Sequence, residues 1–471
     1  GAATSITKAG AGVLTLSGAN TYSGATTINA GTIKLGVSST VNTAGPLGTT
    51  AAGTTVASGA SLDLNGFSLT AAATEALSIS GTGVGGLGAL TNSSATPSTY
   101  IGVITFVAAA SVVGEGGTIA ITGTPVSSAI AITLGGSAGG SISTVIAGAR
   151  PLTKEGTGTW TLSGANTFTG GVSLDAGTLN INNATALGTV AGTFVIADGT
   201  TINNTTAGAI TVSANNPMTW NGNFTFTGTQ ALNLGTGNVA MGSSLRTVTV
   251  SASTLTVGGT ISGTGGLTKE GAGALTLGAV LANNWTGTTT INGGTLTTGT
   301  QNGGDYYQSA SWVVNNGATL VSGSNNILVN TAIVTANTGG TWNTNSKQEA
   351  LAYFAGGGNI TNMSFAGTAM TLDMGTTGSG SDFSGTISGS GNLLVRGANA
   401  GGATSTQIFS GPNTYTGTTT VSAGVLNIQN ATALGTTAAG TSVTAGAALQ
   451  IQGGITVGAE ALTLNGTGIS S

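Results

Sequence analysis

The sequence predicts an all-β fold in which short parallel strands stack turn upon turn as a β-solenoid. Three observations lead to this prediction. One long phrase recurs along the 471-residue chain, apolar residues alternate with Thr, Ser and Asn, and 84 residues are glycine. A phrase that recurs at intervals usually encodes a unit that stacks on its own copies, whereas a catalytic motif occurs once. The first expectation therefore concerns architecture.

The recurring phrase has four copies. The first reads "GAGVLTLSGANTYSGATTINAGTIKLG" from Gly10, and the second reads "GTGTWTLSGANTFTGGVSLDAGTLNI" from Gly156. The copies begin near Ile6, Leu152, Leu267 and Leu394. They predict a single continuous solenoid of four long units, approximately residues 1–150, 151–265, 266–392 and 393–471, of which the last is truncated.

Each copy contains short strands of alternating apolar and polar residues, separated by Gly, Asn, Ser or Ala. No window sustains a helical period. Such strands could also form an antiparallel sandwich, but similar units in tandem favour a coil whose turns stack. Inward Val, Ile and Leu would fill a narrow core, and about 20 turns would make an elongated rod roughly 100 Å long. Glycine would serve corners that need a positive φ.

A corner of Asn, aromatic residue and Gly follows the first strand of each copy, and we expect it to be a packing anchor of the repeat. The positions assigned to this role are Asn20, Tyr22, Gly24, Asn166, Phe168, Gly170, Trp285, Gly287, Asn413, Tyr415 and Gly417. Aromatic residues that recur with a repeat pack more often than they form a ligand shelf. This expectation concerns stability rather than recognition.

Half of the eight basic residues occupy one repeat position, two residues after the apolar start of each copy. They are Lys8, Lys154, Lys269 and Arg396. The simplest expectation is that they are turn or surface charges. A functional alternative is that they contact a neighbouring rod at regular intervals.

Composition excludes several classes of function. Charged residues make up 4% of the chain, there is no Cys or His, and the net charge is −4. Without Cys there are no disulfides or thiolate metal sites, and without His the usual general base is missing. Thinly spread basic residues leave no electrostatic footprint for nucleic acid. No apolar run reaches the length of a membrane-spanning helix, so we expect no membrane insertion of this segment.

The four phrases resemble the autotransporter-associated β-strand repeat, also called the passenger-associated transport repeat. The leucine strand, the Gly-x-Asn-Thr-aromatic-x-Gly corner and the following "INAGTL" strand occur in the same order. The third copy departs with "ANNWTG", and the fourth has the insertion "ANAGGATSTQ". The resemblance implies a right-handed β-helical passenger region of an exported bacterial surface protein. It supplies no catalytic residues.

Other sites are weaker candidates. The twelve acidic residues are scattered singly, without the carboxylate pair that glycoside hydrolysis needs. We therefore expect no enzyme, no cofactor and no metal. The polar loop with Asp305, Tyr306 and Tyr307 is the best candidate for a surface contact, although packing of one Tyr over a corner is the simpler interpretation. The less repetitive region 301–365, which holds Trp312, Trp342, Tyr353 and Phe354, is where we would expect a binding patch.

The two ends of the chain resemble two parts of one internal phrase, because "GTGISS" followed by "GAATSITKAGAGVLTL" is similar to "GTISGTGGLTKEGAGALTL" from Gly259. The sequence thus suggests either a segment of a longer array or subunits that stack end to end. The predicted function is a structural component of an extracellular bacterial surface fibre, stalk or filament, with self-association end to end or laterally. The alternative is an adhesin passenger that binds a glycan or a host protein through region 301–365.

Overall fold

A computed structural model describes the chain apart from residues 1–2, 40–43, 71–74, 124–128, 279–281, 301–305, 365–367, 375–379, 398–404 and 470–471. The chain divides into two compact units, Gly1–Gly237 and Asn238–Ser471. Within the described residues there is one short 3-10 turn, η1 (Val84–Gly86), and no α-helix. The remaining regular structure consists of short strands.

The described strands of the first unit are β1 (Ile6–Lys8), β2 (Val13–Leu16), β3 (Thr26–Ile28), β4 (Gly31–Leu35), β5 (Thr54–Val56), β6 (Ala60–Asp63), β7 (Leu77–Gly81), β8 (Leu90–Asn92), β9 (Ser98–Tyr100), β10 (Ile104–Gly114), β11 (Ile119–Ile121), β12 (Ile132–Gly135), β13 (Gly139–Ile142), β14 (Leu152–Lys154), β15 (Thr159–Leu162), β16 (Val172–Leu174), β17 (Thr178–Ile181), β18 (Phe194–Ile196), β19 (Thr200–Asn203), β20 (Ile210–Thr211), β21 (Met218–Trp220), β22 (Phe224–Phe226) and β23 (Leu232–Asn233).

The strands of the first unit form parallel columns. One column runs β1-β3-β5-β7-β10-β12-β14-β16-β18-β21, a second runs β2-β4-β6-β8-β10, and a third runs β9-β11-β13-β15-β17-β19-β22. In the first column Leu152 pairs with Val172, 20 residues later, and Thr26 pairs with Thr54, 28 residues later. These intervals are the residues taken by one turn of the solenoid, so turn length varies while the parallel register is kept.

The described strands of the second unit are β24 (Val239–Gly242), β25 (Arg246–Val250), β26 (Thr254–Val257), β27 (Ile261–Gly263), β28 (Leu267–Glu270), β29 (Ala274–Leu277), β30 (Thr289–Ile291), β31 (Gly294–Thr297), β32 (Ser311–Val314), β33 (Ala318–Val321), β34 (Ile333–Ala336), β35 (Thr341–Asn343), β36 (Ala350–Leu351), β37 (Tyr353–Ala355), β38 (Asn359–Thr361), β39 (Ala369–Met374), β40 (Ser381–Phe383), β41 (Thr386–Ile387), β42 (Asn392–Gly397), β43 (Thr406–Phe409), β44 (Thr419–Val421), β45 (Gly424–Ile428), β46 (Thr441–Val443), β47 (Ala447–Ile451) and β48 (Leu462–Leu464).

The second unit repeats the arrangement. Its columns run β25-β28-β30-β32-β34-β37, β26-β29-β31-β33-β35-β38-β41, β36-β39-β42-β44-β46-β48 and β40-β43-β45-β47. Strand pairing is parallel in every column, as in β28 and β30, where Leu267 lies opposite Thr289. The two units together hold about 19 turns, which confirms the predicted parallel β-solenoid. The predicted boundaries between four repeat units remain a prediction.

Strand alternation places the core. In β16 the side chains of Val172 and Leu174 are buried and Ser173 between them is half-exposed, because successive residues of a strand point to opposite faces. Outward Thr and Ser therefore face solvent without any need for charge, which explains how a chain with so few charged residues covers its surface.

Glycine meets two different needs in the repeat. Gly177, the residue immediately before β17, has a φ of 69°, which is a left-handed conformation that favours glycine. Gly170 has no positive φ; a Cβ there would lie closer than 3.0 Å to the backbone of Arg150 in the preceding turn. The expectation that corner glycines serve positive φ is therefore right for Gly177, while Gly170 is required because two backbones approach closely.

Candidate functional site

The lysines of the first three copies lie inside the solenoid. Lys8 is 8% exposed, and Lys154 and Lys269 are fully buried. Each stands two residues after an inward apolar residue, as Lys154 does after Leu152, so strand alternation turns it to the same side. The expectation that these cations are turn or surface charges is wrong for the three lysines.

Each buried ammonium is held by three backbone carbonyls. Lys154 Nζ donates to Glu155 O at 2.9 Å, Gly156 O at 2.8 Å and Ala176 O at 2.8 Å. The first two oxygens belong to the corner that follows the lysine, and the third belongs to the next turn. All three donors of an ammonium are satisfied in this way, which offsets the cost of burying the charge. The lysine thus joins two turns.

The other two lysines form the same contacts. Lys269 Nζ donates to Glu270 O at 2.8 Å, Gly271 O at 2.8 Å and Gly293 O at 3.0 Å. Lys8 Nζ donates to Gly10 O at 2.6 Å and Ala30 O at 3.0 Å, with a longer contact to Ala9 O at 3.4 Å. The geometry therefore belongs to the repeat and not to one turn.

Burial changes the chemistry of two of these amines. Desolvation lowers the pKa of Lys154 to about 8, against a smaller opposing effect of the Glu155 carboxylate. Lys269 has a pKa of about 8 for the same reason, with Glu270 as the opposing charge. Both side chains are therefore close to their titration point under mildly alkaline conditions.

The fourth copy lacks the lysine. In β42 the inward residues are Leu393 and Val395, and Val395 pairs with Val421 just as Lys154 pairs with Leu174. Arg396 points outward and forms an ion pair with Asp373 at 3.0 Å. The sequence alignment of Arg396 with the lysines is therefore wrong by one residue, whereas its expected surface position is right.

The corner asparagines also join turns. Asn166 Oδ1 accepts from Ile146 N at 2.9 Å in the preceding turn, and its Nδ2 donates to Ala186 O at 2.8 Å in the following turn. Asn413 makes the equivalent bonds to Ile387 N at 2.8 Å and Ala433 O at 2.6 Å. Each amide therefore supplies partners for backbone groups of the two neighbouring turns at the corner.

Two corner asparagines differ from this pattern. Asn20 is half-exposed and donates to Pro46 O at 2.9 Å. Asn283 is 1% exposed and accepts from Ile261 N at 2.7 Å, so it takes the corner position in the third copy. Asn283 was not among the predicted packing residues, although its spacing of two residues before Trp285 matches the other copies.

The corner aromatic residue packs in the core and bonds to the residue four positions later. Tyr415 Oη lies 2.6 Å from Thr419 Oγ1, and Trp285 Nε1 donates to Thr289 Oγ1 at 2.9 Å. Tyr22, which is half-buried, makes the same contact with Thr26 at 2.7 Å. In the second copy both partners are apolar, Phe168 and Val172, so the polar pair is kept or lost as a unit.

A Cβ on the glycine that follows each aromatic residue by two positions would meet backbone atoms of the preceding turn closer than 3.0 Å. These glycines are Gly24, Gly170, Gly287 and Gly417. We call the lysine, asparagine, aromatic residue and glycine of one copy the inter-turn clamp. The asparagine, aromatic residue and glycine lie at one corner, and the lysine bonds at the preceding corner, one strand earlier in the chain.

A second set of inter-turn bonds runs along the outside of the second unit. Asn292 Nδ2 donates to Glu270 Oε1 at 2.5 Å, Asn315 Nδ2 to Asn292 Oδ1 at 2.5 Å, and Asn337 Nδ2 to Asn315 Oδ1 at 2.6 Å. Four successive turns are linked by this ladder. Each asparagine follows the last residue of a strand by one position, which is the signal that sequence analysis could have used.

Most of the carboxylates serve the same purpose. Eight of the twelve acidic residues accept a hydrogen bond or ion pair from a neighbouring turn: Asp63, Glu75, Asp198, Glu270, Glu349, Asp373, Asp382 and Glu460. Two of these carboxylates accept from a threonine of the preceding turn, and Glu75 is one of them, with Thr54 Oγ1 at 2.7 Å. Burial raises the pKa of Glu75 to about 7.

The aromatic residues of region 301–365 lie in the core. Tyr307 is 2% exposed, and its Oη donates to Leu277 O at 3.0 Å and accepts from Gly299 N at 2.8 Å. Its ring packs edge-on against Trp285 and Trp312, with ring centroids 5.5 and 5.8 Å away. A surface contact through Tyr307 is therefore wrong. Tyr306 is half-buried, and Asp305 lies outside the described residues.

The other aromatic residues of this region are also interior. Trp342 and Phe354 are fully buried with ring centroids 6.0 Å apart, and Tyr353 is 7% exposed. They extend the core of the second unit and leave no aromatic surface for recognition among themselves. The binding patch expected from these side chains is therefore absent from the described residues.

Comparison with known proteins identifies the repeat. Residues 6–35, 152–181, 267–297 and 404–428 match the passenger-associated-transport-repeat family. Four segments of this chain are passenger-associated-transport repeats. The fourth match begins after β42, which is the strand that carries Val395 in place of the lysine. The clamp is thus a feature of these repeats, complete in the first three and partial in the fourth.

One known relative contains a similar stretch. A segment of 63 residues is 43% identical to the "Adhesin BmaC autotransporter" of Brucella suis biovar 1 (strain 1330). The segment covers 13% of this chain and 2% of that protein, so the chain corresponds to a small part of its relative. No solved structure matches this chain significantly. The repeats and this relative support a passenger region of autotransporter type.

The described residues show neither a metal cluster nor a membrane-spanning helix. They contain no group of three or more Asp and Glu side chains arranged to hold a metal ion. No helix in the described part of the chain has the length and hydrophobicity needed to cross a membrane.

Proposed function

We propose that this chain is a structural segment of an extracellular bacterial surface stalk or fibre and that it is not an enzyme. The observation that carries the proposal is the inter-turn clamp, which recurs with the passenger-associated-transport repeats. Its buried lysine and asparagine side chains bond one turn to the next. Chemistry of this kind holds a stack of turns together.

A solenoid turn contacts only its neighbours, so the stability of the stack depends on the interfaces between turns. Separating two turns at Lys154 breaks backbone bonds and also strips a buried ammonium of the carbonyl of Ala176. Because a buried charge that has lost its partner is costly, an ammonium still inside the solenoid disfavours partial opening of the two turns.

Composition supports a location outside the cell. The chain has eight Lys and Arg residues, no Cys and no His, and Lys154 and Lys269 are buried. Trypsin-like proteases cleave after exposed basic residues, so few cleavage sites are accessible in the folded chain. Low surface charge also gives little electrostatic repulsion between copies, which is the support for self-association, end to end or lateral, as part of the proposal.

The second candidate is an adhesin passenger. Its support is the relative that carries the name adhesin, of which this chain corresponds to only a small part. The burial of Tyr307, Trp312 and Trp342 removes the aromatic surface on which that candidate was based. We therefore place the structural role first.

A pulling experiment tests the proposal. The chain has no cysteine, so Ala3→Cys and Thr467→Cys introduce the only two thiols for attachment of handles. A stalk segment should resist force and release chain in steps of one or two turns, about 7 to 10 nm per turn. Extension in one step, at forces no higher than those of a helical bundle pulled alongside, would refute a load-bearing role.

Antibody labelling of intact and permeabilised cells tests the location: labelling only after permeabilisation would refute surface exposure.

A further inference from the structure

The first unit carries a glycine-rich loop over the outer face of its second column. The loop, residues 82–88, contains η1, and its Gly83, Gly85, Gly86 and Gly88 all have positive φ. Ser61 of β6 fixes the loop: its Oγ accepts from Val84 N at 2.8 Å and donates to Gly88 O at 2.8 Å. Four left-handed glycines and two anchoring bonds give this loop one defined path.

A cavity of about 120 Å³ lies beneath the edge of the loop. Its polar lining includes Thr91, Asp63 and Glu115, and its apolar lining includes Val84 and Leu87. Val84 is 37% exposed and Leu87 is 51% exposed, so the apolar side of the cavity opens to solvent. A concave site with an apolar wall and a few polar groups has the composition of a small-ligand site.

One residue that lines the cavity has a buried hydroxyl group without a partner. Thr91 lies in the middle of β8 and is 6% exposed, and its Oγ1 makes no hydrogen bond with any described residue. A hydroxyl buried in this way is unfavourable unless a ligand or water satisfies it. Its position in the lining of the cavity points to a ligand that offers polar hydrogens.

The two carboxylates of the cavity are in different states. Asp63 accepts from Ser93 N at 3.0 Å, Ser93 Oγ at 2.6 Å and Asn65 N at 2.9 Å, and Lys34 Nζ lies 3.5 Å away. Glu115 is half-exposed, and its carboxylate makes no hydrogen bond or ion pair with the described residues. It is an exception to the inter-turn bonding of eight other acidic residues, and it faces the same cavity as Thr91.

We propose that this cavity binds one residue of a neutral sugar, a function that goes beyond the structural role and does not depend on it. The sugar hydroxyls would donate to the Glu115 carboxylate and pair with Thr91 Oγ1, and the C–H surface of the ring would cover Val84 and Leu87. Lys34 neutralises Asp63, so the second carboxylate that a tightly held cation needs is already engaged. β6 and β8 are paired on both sides, which leaves no open edge for an added peptide strand.

Saturation-transfer NMR with a panel of methyl glycosides tests the site on the full chain. The panel contains the glucoside, galactoside, mannoside, fucoside and N-acetylglucosaminide. At least one should bind, and Thr91→Val and Glu115→Gln should each weaken it about tenfold. Two matched controls should leave binding unchanged. They are Thr219→Val, at the outward-facing position of β21, and Glu155→Gln, which changes an exposed carboxylate.

Three results would overturn the proposal. The first is that no glycoside of the panel shows saturation transfer. The second is that Thr91→Val and Glu115→Gln both leave binding intact. The third is that calcium chloride alone stabilises the chain and that Glu115→Gln abolishes this stabilisation, which would indicate a cation site. Thermal unfolding of the variants checks their fold. Thr91→Val replaces an unpartnered hydroxyl by a methyl group and should fold as the wild type does. If it does not, Glu115→Gln, which changes a half-exposed side chain, still tests whether the cavity binds the glycoside.

Discussion

The second and fourth copies of the repeat differ at one inward-facing position, where one has a charged side chain and the other an apolar one. Lys154 lies opposite Leu174 in the second copy, and Val395 lies opposite Val421 in the fourth. Both side chains point into the solenoid, one charged and one apolar. The inward position therefore does not require a charge. What the lysine adds is a set of bonds to Glu155 O, Gly156 O and Ala176 O, which a valine cannot form.

The same comparison applies to the corner. The second copy has Phe168 and Val172 where the fourth has Tyr415 bonded to Thr419. The glycine is kept in both copies, as Gly170 and Gly417, because in both it faces backbone of the preceding turn. Side chains of the clamp are thus exchangeable in matched sets, whereas the close approach of the backbones is common to the two copies.

The largest effect should come from the glycine. Gly170→Ala places a Cβ against the backbone of Arg150, which cannot move like a flexible side chain, so we expect a loss of about 3 kcal/mol or more in the free energy of unfolding. Gly417→Ala should behave alike. The control is Gly208→Ala, whose Cβ would meet nothing within 4 Å; it should change stability by less than about 0.5 kcal/mol. Guanidinium unfolding midpoints measure both, and equal values would contradict the close approach.

The lysine should come next. Lys154→Ala removes the donor to three carbonyls and leaves a cavity, and we expect a loss of about 2–3 kcal/mol. Arg396→Ala in the fourth copy removes a side chain that is 47% exposed and should cost less than about 1 kcal/mol. Hydrogen exchange of the amides in β14 and β16, measured beside the unfolding midpoint, shows whether the loss is local. An Arg396 effect as large as that of Lys154 would show that the two positions are equivalent after all.

The fold was predictable from the sequence, and part of the clamp was not. Periodic phrases and period-two strands predict a parallel solenoid, and Phe168 and Trp285, which the repeat aligns, are both fully buried. The inward direction of Lys154 was available from its spacing to Leu152, but a lysine is rarely buried unless it has partners. Those partners are backbone carbonyls at a corner, and a sequence does not display where its carbonyls point.

The fourth copy shows a second limit. Leu394 and Arg396 imitate the spacing of Leu152 and Lys154, but the strand parity is set by Leu393 and Val395. A slip of one residue exchanges the two faces of a strand, so a motif aligned by one residue type can be placed on the wrong face. The burial of Tyr307 could not be predicted for a related reason, because a loop has no alternation of inward and outward residues.

The dependence of stability on pH reports on the same buried lysines. The pKa of Lys154 and Lys269 is about 8 in the folded chain and about 10.5 when unfolded. Between these values the unfolded chain binds more protons, so stability should rise as the pH increases from 8 to 10. Above pH 10 the buried Tyr415, whose pKa is raised by desolvation, works in the opposite direction.

Thermal unfolding midpoints at pH 7 to 10 measure this rise. The double variant Lys154→Met and Lys269→Met should lack it, while Lys34→Met, which removes a more exposed amine, should retain it. A wild-type midpoint that is flat or falls from pH 8 to pH 10 would contradict the assigned burial of the two ammonium groups, as would an equal rise in the double variant.

The smallest effect concerns the polar pair at the corner. Tyr415→Phe leaves the buried Thr419 hydroxyl without a partner and should cost about 1 kcal/mol. Tyr415→Phe combined with Thr419→Val reproduces Phe168 and Val172 of the second copy, and it should recover most of that loss. A double variant that is less stable than the single one would indicate that the two copies pack differently, and urea unfolding midpoints of the three chains decide the question.

The inter-turn clamp itself is tested most directly by acylation of the lysines. The folded chain is treated with an amine-reactive ester at mildly alkaline pH, and the rate at each lysine is followed by mass spectrometry. Lys34 and Lys347, which are half-exposed, serve as internal references. Lys154 and Lys269 should react far more slowly than the references, although their lowered pKa would make them the faster nucleophiles if solvent reached them. Labelling of Lys154 and Lys269 at the rate of Lys34 or above would contradict the clamp.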